Sequence, residues 1–233
     1  VSTISLLSAC GGDGAETEVS NYTPTAAVGG TPITACSTDS FSYTGVKITS
    51  ATTVPEGTMQ ATGTTGSLTV AMPEYCKITG TLNERVSSVD GKTYAISFDF
   101  RFPTKWNGRF FHQVNGGLDG VVTAAQGDIL GGGEQSSGLT KGFAVLSSNA
   151  GHAAESGTIG GGLFGIDPQA RLDYGYNAVA SLTPMAKQLI KEFYGKNPDK
   201  SYIVGSSNGG RHAMVAASRL GDQYDGYLVS APG

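Results

Sequence analysis

One short stretch of the chain indicates the fold, and it reads Ser201-Tyr202-Ile203-Val204-Gly205-Ser206-Ser207-Asn208-Gly209-Gly210. Its first half is apolar and β-branched, as in a buried strand, and the residues from Asn208 to about Leu220 carry apolar side chains at helical spacing. Between the two, residues 205–209 fit the pattern G-x-S-x-G, which places a serine on a sharp turn. The stretch therefore predicts a strand, a tight turn with Ser207 at its tip, and a helix.

Ser207 is accordingly the candidate nucleophile. Such a turn strains the backbone of its central residue and leaves the side chain projecting from the sheet. Gly205 and Gly209 are required because side chains at these positions would collide across the turn. The free N–H of Asn208, at the start of the helix, is placed to donate to an oxyanion. The alternatives are a glycine-rich turn capped by Ser207 and a phosphate cradle, although the Gly-Lys-Ser/Thr of a Walker-type loop is missing.

A second glycine turn, Asn115-Gly116-Gly117, follows a predicted strand at 109–114. Bare backbone at Gly116 or Gly117 can approach a substrate carbonyl closely, so this turn is the candidate source of the other oxyanion donor. We expect both turns to open at the same edge of the sheet, where ligands bind in open α/β folds. The alternative is an ordinary Gly-Gly turn.

The three histidines, His112, His152 and His212, all lie on or before the helix that follows Ser207. Where a serine lies on such a turn, the chain order of the triad is Ser, then Asp or Glu, then His. None of the three is therefore expected to be the general base. We expect His152 to shape a loop beside the site, and His212 to pack or to face solvent.

The remaining pattern predicts an α/β protein. Residues 41–101 alternate and favour several short strands, and apolar strands follow at 109–114, 143–148, 201–205 and 227–230. Apolar residues at steps of three and four from Leu172 to Phe193 predict a helix, with a kink or break at Pro184 and with Thr183 capping its second part. Strands that alternate with helices favour a mostly parallel sheet covered on both faces.

Composition excludes two classes of protein. Hydrophobic residues make up 39% of the 233 residues and charged residues 15%, which is unlike a disordered interaction protein. The net charge of −4 provides no basic surface for a nucleic acid, so we expect no nucleic-acid partner.

The first residues predict export. Residues 1–10 resemble the end of a signal peptide, and Leu7-Ser8-Ala9-Cys10 resembles the lipobox at which a bacterial lipoprotein is lipidated on its cysteine. The alternative is a small-residue cleavage site that happens to include Cys10. Residues 11–35 favour a flexible tether, and 36–233 a partial catalytic domain. With Cys10 lipidated, Cys36 and Cys76 remain as an even pair, either bridged in an oxidising compartment or present as two buried thiols.

Several further motifs occur along the chain in a characteristic order. They are Pro73-Glu74-Tyr75-Cys76-Lys77-Ile78-Thr79-Gly80, Trp106-Asn107-Gly108-Arg109-Phe110, Asn115-Gly116-Gly117, Gly142-Phe143-Ala144-Val145 with Asn149-Ala150-Gly151-His152, Asp173-Tyr174-Gly175-Tyr176-Asn177-Ala178-Val179, Gly205-Ser206-Ser207-Asn208-Gly209-Gly210-Arg211, and Tyr224-Asp225-Gly226 with Ala231-Pro232. With these motifs the chain resembles, from about Cys36 to Gly233, the tannase and feruloyl esterase family of α/β-hydrolases.

The resemblance implies an α/β-hydrolase fold, with a mostly parallel sheet flanked by helices and a β-rich N-terminal segment. It implies that Ser207 is acylated, that Asn208 and the Gly116-Gly117 loop form the oxyanion hole, and that Cys36 and Cys76 are bridged. One departure is Ser206, because family members typically carry a cysteine there that is bridged to one beside the catalytic histidine.

The family also implies parts that we expect beyond Gly233. These are the triad Asp or Glu and His, and a lid domain that selects the substrate and often binds calcium. We expect no cofactor and no metal site in the chain itself, and little activity from it without the base.

The implied function is the hydrolysis of a small-molecule carboxylic ester, and esters of hydroxylated aromatic acids are favoured. The alternatives are hydroxyalkanoate oligomers, terephthalate-type monoesters, or a non-catalytic lipoprotein that binds a ligand. Any contact with a membrane would come only through the lipid anchor at Cys10.

Overall fold

The computed structural model describes residues 26–63, 66–128, 137–154 and 160–233. The predicted signal segment with Cys10, and residues 11–25 of the predicted tether, lie outside the described residues. The strands are β1 Val46–Val54, β2 Gly57–Gly63, β3 Gly66–Met72, β4 Tyr75–Val86, β5 Thr93–Pro103, β6 Arg109–Gln113, β7 Ala144–Ser148, β8 Lys200–Ser206 and β9 Gly226–Ser230. The α-helices are α1 Pro168–Leu172, α2 Ala178–Tyr194 and α3 Asn208–Arg219, with short 3-10 turns at Thr38–Ser40 and Gly160–Ile166 and a π-helical turn at Asp173–Asn177.

Seven of these strands form one mixed sheet in the order β1-β4-β5-β7-β6-β8-β9, and β2 pairs with β3 in a separate hairpin. The first three pairings, β1 with β4, β4 with β5 and β5 with β7, are antiparallel. The pairings of β7, β6, β8 and β9 are parallel. The predicted α/β class is confirmed, with the parallel half holding the predicted C-terminal strands and the antiparallel half accounting for the β-rich N-terminal segment.

Alternate residues of the central strands point to opposite faces, as the pleat requires. On β6, Phe110 packs in the main core together with α2 and α3, whereas Phe111 packs in a smaller cluster on the other face. That second face is covered in part by Ala125 and Leu139, which are fully buried. Among the described residues, both long helices therefore pack on one face, and loop residues cover part of the other.

Helix α2 runs through Pro184 without interruption, so of the expected kink or break the break is wrong. Thr183 does not cap a second helix, because its hydroxyl donates to the Val179 carbonyl at 2.6 Å within the same helix. Leu182 and Met185, on either side of this position, are fully buried in the core. Burial of this face outweighs the backbone hydrogen bond that the proline removes.

The N-terminal segment is attached to the domain by a disulfide and by several hydrogen bonds. The Cys36–Cys76 disulfide is present and closes a separation of 40 residues, so the bridge, one of the two alternatives, is confirmed. Gly30 pairs with Trp106 through two backbone hydrogen bonds, and the Val28 N–H donates to the Asp199 carboxylate at 2.8 Å. Residues 26–35 are thus docked on the domain, unlike the flexible tether predicted for 11–35. None of the described helices is both long and apolar enough to cross a membrane.

Candidate active site

Ser207 lies in the turn between β8 and α3 with φ 56° and ψ −126°, and it is exposed. A residue with a side chain is strained in this region and stays there only where its surroundings fix it. Here the Ser207 N–H donates to the Ser230 carbonyl at 3.0 Å, and the Ser207 carbonyl accepts from Arg211 at 3.0 Å and from Gly233 at 3.2 Å. This is the geometry of a nucleophile elbow, as the G-x-S-x-G pattern predicts.

Three glycines make the turn sterically feasible. A Cβ carbon on Gly205 would overlap the Gly209 carbonyl carbon, and one on Gly209 would overlap the Val114 carbonyl oxygen. A Cβ on Gly210 would overlap the Ser230 carbonyl oxygen. The expected collision across the turn is confirmed for Gly205, whereas Gly209 and Gly210 are required because α3 packs closely against Val114 and against the end of β9.

The Asn115-Gly116-Gly117 turn lies beside Ser207. It follows β6, which is the neighbour of β8 in the parallel half of the sheet. The Cβ position of Gly116 is 4.0 Å from the Ser207 Cβ and 3.8 Å from the Ser206 carbonyl oxygen. The two turns thus open at the same edge of the sheet, which is the placement that an oxyanion hole built from both of them requires.

The asparagine of this turn anchors it to the neighbouring strand. Asn115 Nδ2 donates to the Ser148 carbonyl at 2.8 Å and to the Ser147 hydroxyl at 3.1 Å, and Asn115 Oδ1 accepts from Thr123 at 2.7 Å. The Asn115 side chain therefore holds the turn in place, and Gly116 and Gly117 need no side chains to do so. This role was not predicted from the sequence.

A cavity of about 300 Å³ runs along the two turns, and Ser207 and Gly116 are among the residues that line it. A second cavity of about 320 Å³ adjoins it on the side of Thr123 and shares four lining residues with the first, among them Asn115 and Gly116. Cavities of this size, at the carboxyl ends of parallel strands, are typical of small-molecule sites. Ser207 is therefore exposed to a space that can hold a small ligand.

None of the three histidines forms a hydrogen bond with the Ser207 hydroxyl. His112 is fully buried beside Tyr224, with Nδ1 2.8 Å from the phenolic oxygen, and burial lowers the pKa of His112 to about 3. His152 contacts the Leu118 carbonyl at 2.8 Å through Nε2, so it does shape the loop that follows the Gly116 turn. Among the residues that the structure describes, none forms a hydrogen bond with the Ser207 hydroxyl. The described residues therefore do not show a general base hydrogen-bonded to Ser207.

His212 belongs to a buried polar cluster that the sequence pattern did not reveal. It is 2% exposed and pairs with Asp119 at 2.8 Å, so the alternative that it faces solvent is wrong. Asn208 lies in the same cluster, since its Oδ1 accepts from Arg211 at 2.8 Å and from the Tyr174 hydroxyl at 3.0 Å. The guanidinium group also lies 4.5 Å from the centre of the Tyr174 ring. No local sequence pattern indicates this pair, because Asp119 and His212 are 93 positions apart in the chain.

Calcium, which the family resemblance associates with a lid, does not fit the described residues. They contain no group of three or more His, Cys, Asp or Glu side chains that could hold a metal ion. Calcium prefers six to eight oxygen ligands, mostly carboxylates and carbonyls. No step of the chemistry below is therefore assigned to a metal.

Comparison with known proteins gives concordant matches. A family model described as "Tannase and feruloyl esterase" matches residues 76–233. Mono(2-hydroxyethyl) terephthalate hydrolase of Piscinibacter sakaiensis is 41% identical over 167 residues, which cover 70% of this chain and 27% of that protein. Probable feruloyl esterase B-2 of Neosartorya fischeri is 33% identical over 141 residues, which cover 60% of this chain and 24% of that protein.

A solved structure matches the same region. The crystal structure of feruloyl esterase B from Aspergillus oryzae superposes with a TM-score of 0.64 at 26% identity, covering 83% of this chain and 35% of that one. The chain thus spans between about a quarter and a third of the length of these relatives.

Proposed function

Because the chain belongs to the tannase and feruloyl esterase family, we propose that the protein hydrolyses carboxylic esters through an acyl intermediate on Ser207. The observation that carries this proposal is the strained backbone of Ser207 between β8 and α3, at φ 56° and ψ −126°. Strain of this kind is typical of a nucleophile elbow and is not needed for a ligand-binding turn. It favours catalysis over the alternative of a non-catalytic ligand-binding lipoprotein.

The reaction has two halves. The Ser207 oxygen attacks the ester carbonyl carbon, its proton passes to a base, and the carbonyl oxygen becomes an oxyanion. The Asn208 N–H and one N–H of Gly116 or Gly117 donate to that oxyanion. The tetrahedral intermediate then expels the alcohol, which takes the proton, and leaves an acyl ester on Ser207. Water hydrolyses this ester by the same steps, which releases the acid and restores the serine hydroxyl.

We assign the base and its carboxylate partner to a part of the protein outside this chain. In this fold the histidine and its acid follow the nucleophile in sequence. The described residues place no histidine on the Ser207 hydroxyl, and the relatives are three to four times as long as the matched region. A chain without a base would retain only the effects of the oxyanion hole and of substrate binding.

The acyl part of the substrate is proposed to be an aromatic acid. The matches include a probable feruloyl esterase and a mono(2-hydroxyethyl) terephthalate hydrolase, and the latter is 41% identical to this chain. Both names denote esters of an aromatic acid. Esters of hydroxylated aromatic acids are our first proposal and terephthalate-type monoesters the second, whereas hydroxyalkanoate oligomers have no support from these names.

We further propose that the protein is exported. The Cys36–Cys76 disulfide is of a kind that persists in oxidising compartments. Lipidation of Cys10, which lies outside the described residues, stays a prediction from the lipobox pattern, and any membrane attachment would come through it.

Steady-state hydrolysis by the full-length protein tests this function. The substrates are a feruloyl ester, mono(2-hydroxyethyl) terephthalate and a hydroxybutyrate oligomer, and the variants are Ser207→Ala and, as matched control, Ser206→Ala. We expect Ser207→Ala to lower kcat by about 10⁴-fold or more, as loss of a nucleophile does, and Ser206→Ala to retain most activity. Hydrolysis that survives in Ser207→Ala, or inactivity of the wild type on all three esters, would contradict the proposal.

A further inference from the structure

The loop that follows the Gly116 turn carries a buried carboxylate for which the mechanism above has no use. The Asp119 side chain is 2% exposed, and its Oδ2 accepts from Asn208 Nδ2 at 2.6 Å and lies 2.8 Å from His212 Nε2. A buried carboxylate is costly unless it is paired and hydrogen-bonded, and these two contacts satisfy it. His212 Nε2 also lies 3.2 Å from Arg211 Nη2, so the carboxylate, the imidazole and the guanidinium meet at one place.

The same contacts fix the orientation of the Asn208 amide. Its Nδ2 faces Asp119, which only accepts, and its Oδ1 faces the Arg211 Nε at 2.8 Å, which only donates. The amide therefore has a single orientation, and the Tyr174 hydroxyl adds a second donor to Oδ1 at 3.0 Å. Residue 208, whose backbone N–H is the proposed oxyanion donor, is held by its side chain as well as by the helix.

The backbone of Asp119 is hydrogen-bonded to the Asn115-Gly116-Gly117 turn. Its N–H donates to the Gly116 carbonyl at 3.3 Å, and the next residue, Gly120, donates to the Asn149 carbonyl at 3.1 Å. The φ angle of Asp119 is 57°, which is uncommon for a residue with a side chain. The backbone that carries the carboxylate is therefore tied to the Gly116 turn.

We propose that Asp119 is a positioning residue that sets the spacing between the two oxyanion-donating segments, through Asn208 and His212. One carboxylate oxygen joins the loop after Gly116 to the first turns of α3, and each of these segments supplies one proposed donor. This inference rests on the proposed function, because the donors matter only if an oxyanion forms. A misplacement of about 1 Å in such a site can cost about 100-fold in rate.

The test uses the full-length protein and four variants: Asp119→Asn, Asp119→Ala, His212→Ala and the double variant Asp119→Ala/His212→Ala. Asp222→Ala, which removes an exposed carboxylate, is the control. For each protein we would measure kcat, KM, the rate of labelling by a fluorophosphonate, and the thermal unfolding curve. Asparagine keeps an amide oxygen that can accept both hydrogen bonds, so it separates loss of the contact from loss of the charge.

The expected result is a fall in kcat of roughly 10- to 100-fold for Asp119→Ala, with KM within about twofold, as for an interaction made only in the transition state. Asp119→Asn should stay within about fivefold of the wild type, since the amide oxygen keeps both contacts. The double variant should be about as slow as Asp119→Ala alone, because Asp119→Ala already removes the contact between the two side chains. Labelling should slow in parallel with kcat.

Three results would overturn the role of Asp119. They are an unchanged kcat in folded Asp119→Ala, a fall in activity that only follows the unfolded fraction, and effects of Asp119→Ala and His212→Ala that multiply. If Asp119→Ala fails to fold, a folded Asp119→Asn variant that is slowed by about tenfold or more would overturn it too, because its amide oxygen keeps both contacts. A wild type that neither labels nor hydrolyses esters would instead contradict the proposed function itself.

Discussion

Gly209 and Val114 are in direct contact, and a Cβ carbon on Gly209 would overlap the Val114 carbonyl oxygen. Gly209 is the second residue of α3, and Val114 is the last residue before the Asn115-Gly116-Gly117 turn. The nucleophile elbow and the second turn are thus packed backbone to backbone. Their relative position depends on the absence of a side chain at one site.

The first prediction concerns that contact. Gly209→Ala should lower the free energy of unfolding by about 1–3 kcal/mol, as overpacking of a tight site does, and should also reduce ester hydrolysis. Gly175→Ala is the matched control, because a Cβ there meets nothing within 4 Å. Denaturant unfolding and kcat measure the two effects. Equal stability of the two variants would show that the elbow tolerates a side chain at Gly209.

The second prediction is that Gly116→Ala reduces activity without reducing stability. A Cβ on Gly116 makes only ordinary contacts, 3.8 Å from the Ser206 carbonyl oxygen and 4.0 Å from the Ser207 Cβ, so Gly116→Ala should leave the melting temperature almost unchanged. The added methyl group would lie beside the nucleophile, where the substrate carbonyl must approach, and kcat/KM should fall by about tenfold or more. Full activity in a stable Gly116→Ala variant would argue against an oxyanion hole at this turn.

The disulfide should contribute strongly to stability. Joining Cys36 and Cys76 across 40 residues should stabilise the protein by about 4 kcal/mol in the chain-entropy treatment. Denaturant unfolding of a Cys36→Ser/Cys76→Ser variant measures this loss, and Cys10→Ser should have no such effect. Peptide mapping of the non-reduced, exported protein should recover Cys36 linked to Cys76. Recovery of both residues as free thiols would contradict the bridge.

Acid stability should depend on His112. Burial lowers the pKa of His112 from 6.5 to about 3, so between these two pH values the unfolded state binds the additional proton and the folded state loses stability as the pH falls. Between pH 7 and pH 5 this residue alone should cost about 2 kcal/mol. His112→Gln should show a shallower decline over this range in urea titrations. An unchanged decline would mean that His112 can be protonated in the folded protein.

The sequence predicts local structure best where a turn requires particular residues next to each other. The pattern around Ser207 predicts a strand, a turn and a helix, because glycines at 205 and 209 allow these segments to pack closely. The continuity of α2 through Pro184 could not be predicted, because the cost of a proline is local whereas the buried face of α2 depends on the rest of the core. The contact of Asp119 with His212 could not be predicted, because it depends on which strands become neighbours in the sheet.

The central claim is that Ser207 is the acylated nucleophile, and covalent labelling tests it most directly. The full-length protein would be treated with a fluorophosphonate, digested, and analysed by mass spectrometry to locate the adduct. We expect one adduct on Ser207, no labelling of Ser207→Ala, and normal labelling of Ser206→Ala, because only Ser207 occupies the strained turn. An adduct on another residue, or labelling that persists in Ser207→Ala, would contradict the account.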